Sequence, residues 1–294
     1  MKASNHHPTG LRTVWGAFAF KRLLCVFLLV CCCSVGDSVA QCQSLGHVLH
    51  HGERVDYDLY FKWGLLMPKA GLATLSVKES EYKGQPSWCY RLLFRTSGVI
   101  EKVYKMRDTL DCHFSRTKAQ LLFSTKRSDE KDYYQVDDLT FDYSGDKITA
   151  RSLRYTPTRT KIDTLLTATS SCMYDMLGAT MYLRSIDWQQ IKRGDEFPFC
   201  IAIGRDVVNA CFRYTGQQIV ERGDAKYSTR HFYIDIIDEA FTQSKAAAEV
   251  WIGDDENHLP VKIRAKLKIG AAEVYYKEGF NLRYPLTCRF ELEQ

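Results

Sequence analysis

The side chains best suited to binding a metal ion lie just ahead of the first strand-like segment. The run from His47 to Glu53 reads HVLHHGE and holds three histidines and one carboxylate, His47, His50, His51 and Glu53. His47 and His51 would share one face of a helix. The sequence has no His-Glu-x-x-His motif, however, and we favour a solvated segment that leads into a strand. The acidic turn Gly253 to Asn257 lacks the spacing of a calcium loop. We therefore expect no metal and no cofactor.

Nucleophilic catalysis needs a serine or cysteine beside a base and an orienting group. The sequence has no Gly-x-Ser-x-Gly elbow, and no spacing places Asp175 or His231 beside a nucleophile. We expect no catalytic residues, and a hydrolase remains the less favoured alternative.

The positions of two cysteines suggest a disulfide bond. Eleven cysteines occur, and no Cys-x-x-Cys pair suggests a zinc or redox motif. Seven lie beyond residue 40, an odd number: Cys42, Cys89, Cys112, Cys172, Cys200, Cys211 and Cys288. Two alternating segments flank Arg205-Asp206, and a turn there places Cys200 opposite Cys211, close enough for a disulfide. If the turn is shifted by a residue, the two thiols stay unlinked.

A stripe of four cations is the most unusual surface feature. The segment VKIRAKLKI alternates strictly, so that one strand face carries Lys262, Arg264, Lys266 and Lys268. One interpretation is a contact for anionic envelope components such as lipid headgroups. The favoured alternative is a solvated face paired with acidic neighbours such as Glu249 and Glu273, where lysines also prevent edge-to-edge aggregation.

The elements that must position these residues are predominantly strands. In the segment GERVDYDLYFKWGLLMPKAGLATLSV, apolar residues alternate with polar ones on either side of a turn at Pro68 and Gly71. The same pattern recurs in WCYRLLFRT and in DLTFDYSGDKITA, where Leu139, Phe141 and Tyr143 fall on the inward face. Short polar turns between such runs predict an all-β fold: a mostly antiparallel, curved sheet, barrel-like or sandwich.

One helix interrupts the strands. Met173, Met176, Leu177, Thr180 and Met181 recur at helical spacing, which predicts a central helix over about 172–186, capped by Ser170 or Ser171. The chain beyond residue 40 is then a single β-rich domain, 41–294. Two β halves, about 52–165 and 190–294, joined through the helix are the alternative arrangement.

The N-terminus has the pattern of a signal peptide. Lys21 and Arg22 precede an uncharged run from Leu23 to Val35, which is too short to span a membrane, and Ser38-Val39-Ala40 fits a cleavage site after Ala40. We expect residues 1–40 to be removed and the chain to be exported without a transmembrane span. Lipidation is the alternative, at one of the cysteines Cys31, Cys32, Cys33 and Cys42.

Cleavage would leave a nearly neutral protein. Residues 1–40 carry four cations and one Asp, so their removal takes the net charge from +5 to +2. That balance gives no argument for nucleic acid as a partner.

The order of the segments resembles a known family. GERVDYDLYFKWGLLMPKAGLATLSV, YDMLGATMYLRSIDWQQIKRGDEFPF and EVWIGDDENHLPVKIRAKLKIGAAEV occur in the order and spacing of DUF3108, a family of exported bacterial proteins of unknown function. The resemblance implies a β-rich protein of the Gram-negative envelope, periplasmic or associated with the outer membrane. It supplies no activity and no site residues.

These observations favour a binding protein. Aromatic residues make up 13% of the chain, and a curved sheet with an aromatic inner face could hold a hydrophobic or lipid-like ligand. We expect a non-enzymatic envelope protein that binds such a ligand or a partner in envelope biogenesis. A scaffolding module without a ligand cavity is the main alternative.

Overall fold

The computed structural model describes residues 48–62, 64–116, 120–170, 172–237, 244–267 and 270–291, all within the unit Gln41–Gln294. Sixteen strands and two helices occur in these ranges. The strands are β1 Arg54–Lys62, β2 Lys69–Tyr82, β3 Gln85–Thr96, β4 Arg107–Ser115, β5 Leu121–Glu130, β6 Tyr133–Asp142, β7 Thr149–Thr156, β8 Arg159–Thr167, β9 Met173–Tyr174, β10 Glu196–Ile203, β11 Asp206–Arg222, β12 Ala225–Ile236, β13 Ser244–Gly253, β14 Pro260–Lys266, β15 Ala271–Phe280 and β16 Arg289–Glu291. The helices are α1 Gly98–Val103 and α2 Met176–Ser185. Neither of these described helices is long and apolar enough to cross a membrane.

All sixteen strands belong to one sheet. Its order is β8-β7-β6-β5-β4-β3-β2-β1-β15-β14-β13-β12-β11-β10-β9, and β16 pairs with β12. Neighbours are antiparallel except β9 and β10. The predicted antiparallel all-β fold is confirmed. The pairing of β1 with β15 joins the strands that precede α2 to those that follow it.

Strand alternation sets the two faces of the sheet. On β1, Val55 and Tyr57 are buried whereas Arg54 is exposed. On β2, Ala73, Leu75 and Val77 are buried between less buried neighbours. These are the inward residues that the sequence predicted, because a strand in a half-buried sheet exposes every second side chain.

The sheet curls until its two ends approach each other. Ser152 on β7 donates from Oγ to the Gly204 carbonyl in the β10–β11 turn, 2.6 Å away. Arg205 in the same turn donates to the Lys161 carbonyl on β8 at 3.2 Å. The sheet is barrel-like, but among the described residues strands β8 and β9 form its edges and no ladder joins them.

The β10–β11 hairpin differs from the prediction in register. Ile203 pairs with Asp206 across a two-residue turn at Gly204-Arg205, and Gly204 has φ +62°. Glycine adopts this left-handed conformation without steric cost, so the turn forms one residue earlier than expected. Cys200 therefore faces Asn209, and Cys211 faces Pro198.

The structure thus gives the Cys200–Cys211 disulfide no support. The register on which that prediction rested is wrong. Six cysteines of the described chain are buried: Cys89, Cys112, Cys172, Cys200, Cys211 and Cys288.

Helix α2 begins later than the sequence predicted. Asp175 is its N-cap and accepts a hydrogen bond from the Gly178 N–H at 2.6 Å, whereas Met173 is part of β9. A side-chain acceptor at the N-cap satisfies an amide that has no partner within the helix. The predicted cap at Ser170 is wrong, and Ser171 lies outside the described residues.

A buried ion pair holds α2 against the start of the sheet. The guanidinium of Arg184 donates to both carboxylate oxygens of Glu53 at 2.8 and 3.0 Å and to the Asn257 carbonyl at 3.0 Å. Burial by itself would lower the pKa of Arg184, but the Glu53 carboxylate more than offsets it and raises that pKa. Glu53 is therefore a core residue, not part of a solvated lead-in; His47 lies outside the described residues.

Candidate ligand-binding cavity

A cavity of about 840 Å³ lies between the first turns of α2 and the inner face of the sheet. Its volume falls in the range of about 300–1,000 Å³ that is usual for pockets binding small organic ligands. The interior is therefore not completely packed. Buried core residues fill the interior of the sheet around the C-terminal end of α2, where Arg184 lies. The cavity lies in the interior beside the first turns of α2.

One wall of the cavity is apolar. It is formed by side chains from five neighbouring strands, β1, β2, β3, β14 and β15: Leu59, Leu75, Leu92, Phe94, Ile263 and Val274. Leu75 and Leu92 face each other across the β2–β3 ladder. These are the inward positions of the alternating segments, so the sequence pattern accounts for this wall directly.

The opposite wall is polar. It is formed by alternate residues of β5, β6 and β7: Ser124, Lys126, Ser128, Gln135, Asp137 and Arg154. Arg154 donates from Nε to Asp137 within this wall. Two cations, Lys126 and Arg154, line the cavity on this side. Four carboxylates line it as well: Asp108, Glu130, Asp137 and Asp138. The wall can hydrogen-bond a polar group and carries a negative excess.

Asp108 stands out within the polar wall. The residue is 94% buried (6% exposed), and its Oδ1 atom has no hydrogen-bond partner among the described residues. Lys126 lies 3.5 Å from Oδ2. Burial raises the pKa of Asp108, and Lys126 opposes that rise. A buried carboxylate oxygen that has no hydrogen-bond partner is stabilised when a bound molecule donates a hydrogen bond to it.

The N-cap of α2 forms the floor of the cavity. Asp175 and Met176 both line it, and Cys112 donates from Sγ to Asp175 at 3.2 Å. Burial raises the pKa of the Asp175 carboxyl, although the hydrogen bond from Gly178 opposes this. The same carboxyl thus starts the helix and faces the ligand space.

Replacing Asp175 by alanine is expected to lower the free energy of unfolding by about 0.5–2 kcal/mol, because the Gly178 amide loses its acceptor. Asp175→Asn keeps an oxygen at the same position and serves as the matched control. Urea unfolding followed by circular dichroism measures both variants. Equal losses for the two would show that the cap contributes nothing.

A second polar cluster lies on β11, β12 and β13. Thr215 Oγ1 is 2.5 Å from His231 Nδ1, and Glu249 Oε2 is 3.4 Å from His231 Nε2. Gln218 Nε2 also approaches Nδ1, at 3.1 Å, and Thr215 donates to the His231 carbonyl at 3.1 Å. Burial lowers the pKa of His231, and Glu249 opposes that shift. A small cavity of about 300 Å³ adjoins Thr215 and His231.

Two of the four cations of the stripe, Lys262 and Arg264, interact with neighbouring side chains. Lys262 lies over the rings of Trp251 and Tyr275, with Nζ at 4.6 and 5.3 Å from their centroids. Arg264 lies 3.8 Å from Glu249 and 3.5 Å from Glu273. Glu249 and Glu273 are the acidic neighbours that the sequence analysis expected to pair with these cations. Lys266 is exposed at the end of β14, and Lys268 lies outside the described residues. The contact with anionic lipids stays a prediction.

The fold and the cavity together define the class of the protein. A single antiparallel sheet that curls around one helix and encloses a ligand-sized space is a β-barrel-like architecture. The chain belongs to the family described as "Protein of unknown function (DUF3108)", whose model matches residues 56–277. The family predicted from the three sequence segments is confirmed.

A solved structure shares the architecture. The crystal structure of a beta-barrel-like protein of the domain of unknown function DUF1849 from Brucella abortus matches with a TM-score of 0.56. The match covers 79% of this chain and 98% of that chain at 9% identity, which shows a shared fold alone. The search of curated proteins found no match to this chain.

Sequence reasoning missed the polar wall, although a signal was present. Leu139 and Phe141 were predicted to point inward on β6, and extending that alternation backwards places Asp137 and Gln135 on the same face. Polar residues at inward positions of a strand indicate either an error of register or a site. Here they line the cavity.

Proposed function

We propose that this protein binds a lipid-like ligand in the cavity and acts in the cell envelope after export, without an enzymatic reaction. The observation that carries the proposal is the division of one ligand-sized space into an apolar wall and a polar wall. An amphiphile would place its hydrocarbon portion against Leu92 and Phe94. Its headgroup would lie against β5 and β6, where Ser128 and Gln135 supply hydrogen-bonding groups.

The negative excess of the polar wall narrows the ligand class. Asp108 has an unpartnered oxygen, and Asp137 and Asp138 add further carboxylates. Such a wall favours a headgroup that donates hydrogen bonds, such as an ammonium or a sugar hydroxyl group. A headgroup with several negative charges would be repelled, because Lys126 and Arg154 already pair with Asp108 and Asp137.

Native mass spectrometry of protein purified without detergent from its own host, followed by organic extraction, tests the proposal. A co-purifying amphiphile of defined mass that is released by organic solvent is the expected result. A clean protein mass, together with no uptake of extracted host lipids on incubation, would contradict ligand binding and favour the scaffolding alternative. The intact mass also reports whether the chain begins at Gln41 or carries a lipid.

The cluster of Thr215, His231 and Glu249 favours one second candidate, a hydrolase. It places a hydroxyl, a base and a carboxylate within reach of one another beside a small cavity. Assaying the purified protein with short-chain p-nitrophenyl esters tests it. Hydrolysis that Thr215→Val abolishes would support a hydrolase; an unchanged rate in that variant would exclude this cluster.

A further inference from the structure

Large apolar side chains are exposed at one end of the sheet. They lie on or beside the connections β1–β2, β3–β4, β5–β6, β10–β11 and β14–β15: Leu65, Leu66, Val99, Val103, Tyr104, Tyr133, Ile203 and Leu267. Leu65 is fully exposed, and Val99 and Val103 are 74% and 73% exposed. Exposed apolar side chains grouped in this way are typical of a surface that contacts another protein, a membrane or a ligand.

The antiparallel order brings these connections together. Strands β1, β3, β5, β10 and β14 all run towards this end, and their successors run back from it. We call it the mouth end, because the cavity reaches it. Glu130, Tyr133 and Ile203, which are terminal residues of their strands, line the cavity here, as does Ala272, the second residue of β15.

Helix α1 is a separate element of the mouth end. It has six residues, none of them buried, and it follows β3 directly. Val99 and Val103 are four residues apart and therefore lie on one face. Tyr104 follows them and donates its hydroxyl to Glu130 on β5. An exposed helix with apolar residues on one face, tied to the neighbouring strand, is suited to lying on an interface.

The charges of the mouth end complement an anionic surface. Cations accompany the apolar residues on or beside the connections of this end, to which the antiparallel order also assigns β7–β8: Lys102, Lys105, Lys131, Arg159, Arg205 and Lys266. All six residues are exposed, and none of them forms an ion pair with an acidic side chain in the described part of the chain. Three exposed carboxylates, Asp129, Asp132 and Asp206, lie in or beside the same connections, so the cations remain in excess. Glu101, which lies among them, is paired with Arg107. Each Lys or Arg near an anionic bilayer contributes favourable electrostatic free energy.

We propose that the mouth end docks on a bilayer surface that contains anionic lipids. The apolar residues of the β1–β2 connection and α1 would enter the boundary between headgroups and acyl chains, while the surrounding cations contact the headgroups. Docking here would place the opening of the cavity against the membrane. Passage of a ligand between bilayer and cavity rests on the proposed function; the docking itself does not.

Flotation with lipid vesicles tests the docking. The purified mature chain is mixed with vesicles of phosphatidylglycerol and phosphatidylethanolamine at equal parts, and in parallel with phosphatidylcholine alone. We expect the protein to float with the anionic vesicles and to dissociate in high salt. The variants Leu65→Asp/Leu66→Asp and Val99→Asp/Val103→Asp are each expected to bind at least tenfold less.

The matched control is Leu165→Asp, since Leu165 is 66% exposed on β8 away from the mouth end. Circular dichroism and the Tm confirm that each variant is folded. Equal binding by all variants, or no flotation of the wild type, overturns the proposal. A wild-type dimer that Leu65→Asp/Leu66→Asp converts to a monomer, without vesicle binding, would assign the surface to a second copy of the chain.

Ligand extraction separates this proposal from the proposed function. Protein that holds an extractable amphiphile but does not float contradicts the docking alone. Protein that floats but neither holds nor takes up an amphiphile contradicts the binding function alone.

Discussion

Replacing Arg184 by methionine is expected to lower the free energy of unfolding by about 3–5 kcal/mol, because it leaves the buried Glu53 carboxylate without its partner. Both side chains are almost completely buried, at 1% and 2% exposure. Four hydrogen bonds from the guanidinium join α2 to the chain around Glu53, Val48 and Asn257. The pair therefore fixes the helix that forms the floor of the cavity.

A double replacement separates the ion pair from packing. Glu53→Leu/Arg184→Met removes both charges, and we expect it to recover a large part of the loss, since two apolar side chains leave no unpaired charge. Urea unfolding of the two single variants and the double variant gives the coupling free energy. Additive losses would show that the two side chains do not act as a pair.

Replacing Leu92 by glutamate is expected to weaken binding of a fluorescent apolar probe by roughly a hundredfold, which corresponds to about 3 kcal/mol. Leu92 lies in the apolar wall. In the absence of a ligand, water can hydrate a carboxylate at this position. An apolar ligand would remove that hydration. The folded state should tolerate the change, so that the effect falls on binding.

The neighbouring residue on the same strand provides the control. Leu93 points to the other face of β3 and is 45% exposed, so Leu93→Glu should leave the affinity unchanged. Titration with N-phenyl-1-naphthylamine measures both variants, with the Tm as a check on folding. If Leu93→Glu weakens binding as much as Leu92→Glu does, the probe does not occupy the cavity.

The polar wall shows why a site can be hidden in a correctly predicted sheet. The alternation of β6 assigned Leu139 and Phe141 to the interior, and that assignment is confirmed by their burial. Asp137 and Gln135 line the cavity together with Ser124 and Arg154 from other strands. Which polar residues meet across a sheet depends on strand order and curvature, and a single segment contains neither.

The sequence by itself determined the strands and their inward faces, because alternation with period two is a local property of the backbone. The order and spacing of three segments indicated the family by resemblance. Tertiary structure decided the rest. The tight turn at Gly204 set the register that separates Cys200 from Cys211. The Arg184–Glu53 pair joins residues 131 positions apart. The cavity lies inside the curled sheet, where the side chains of α2 do not fill the whole interior. The volume left between a helix and a sheet depends on the whole fold, and no local sequence pattern encodes it.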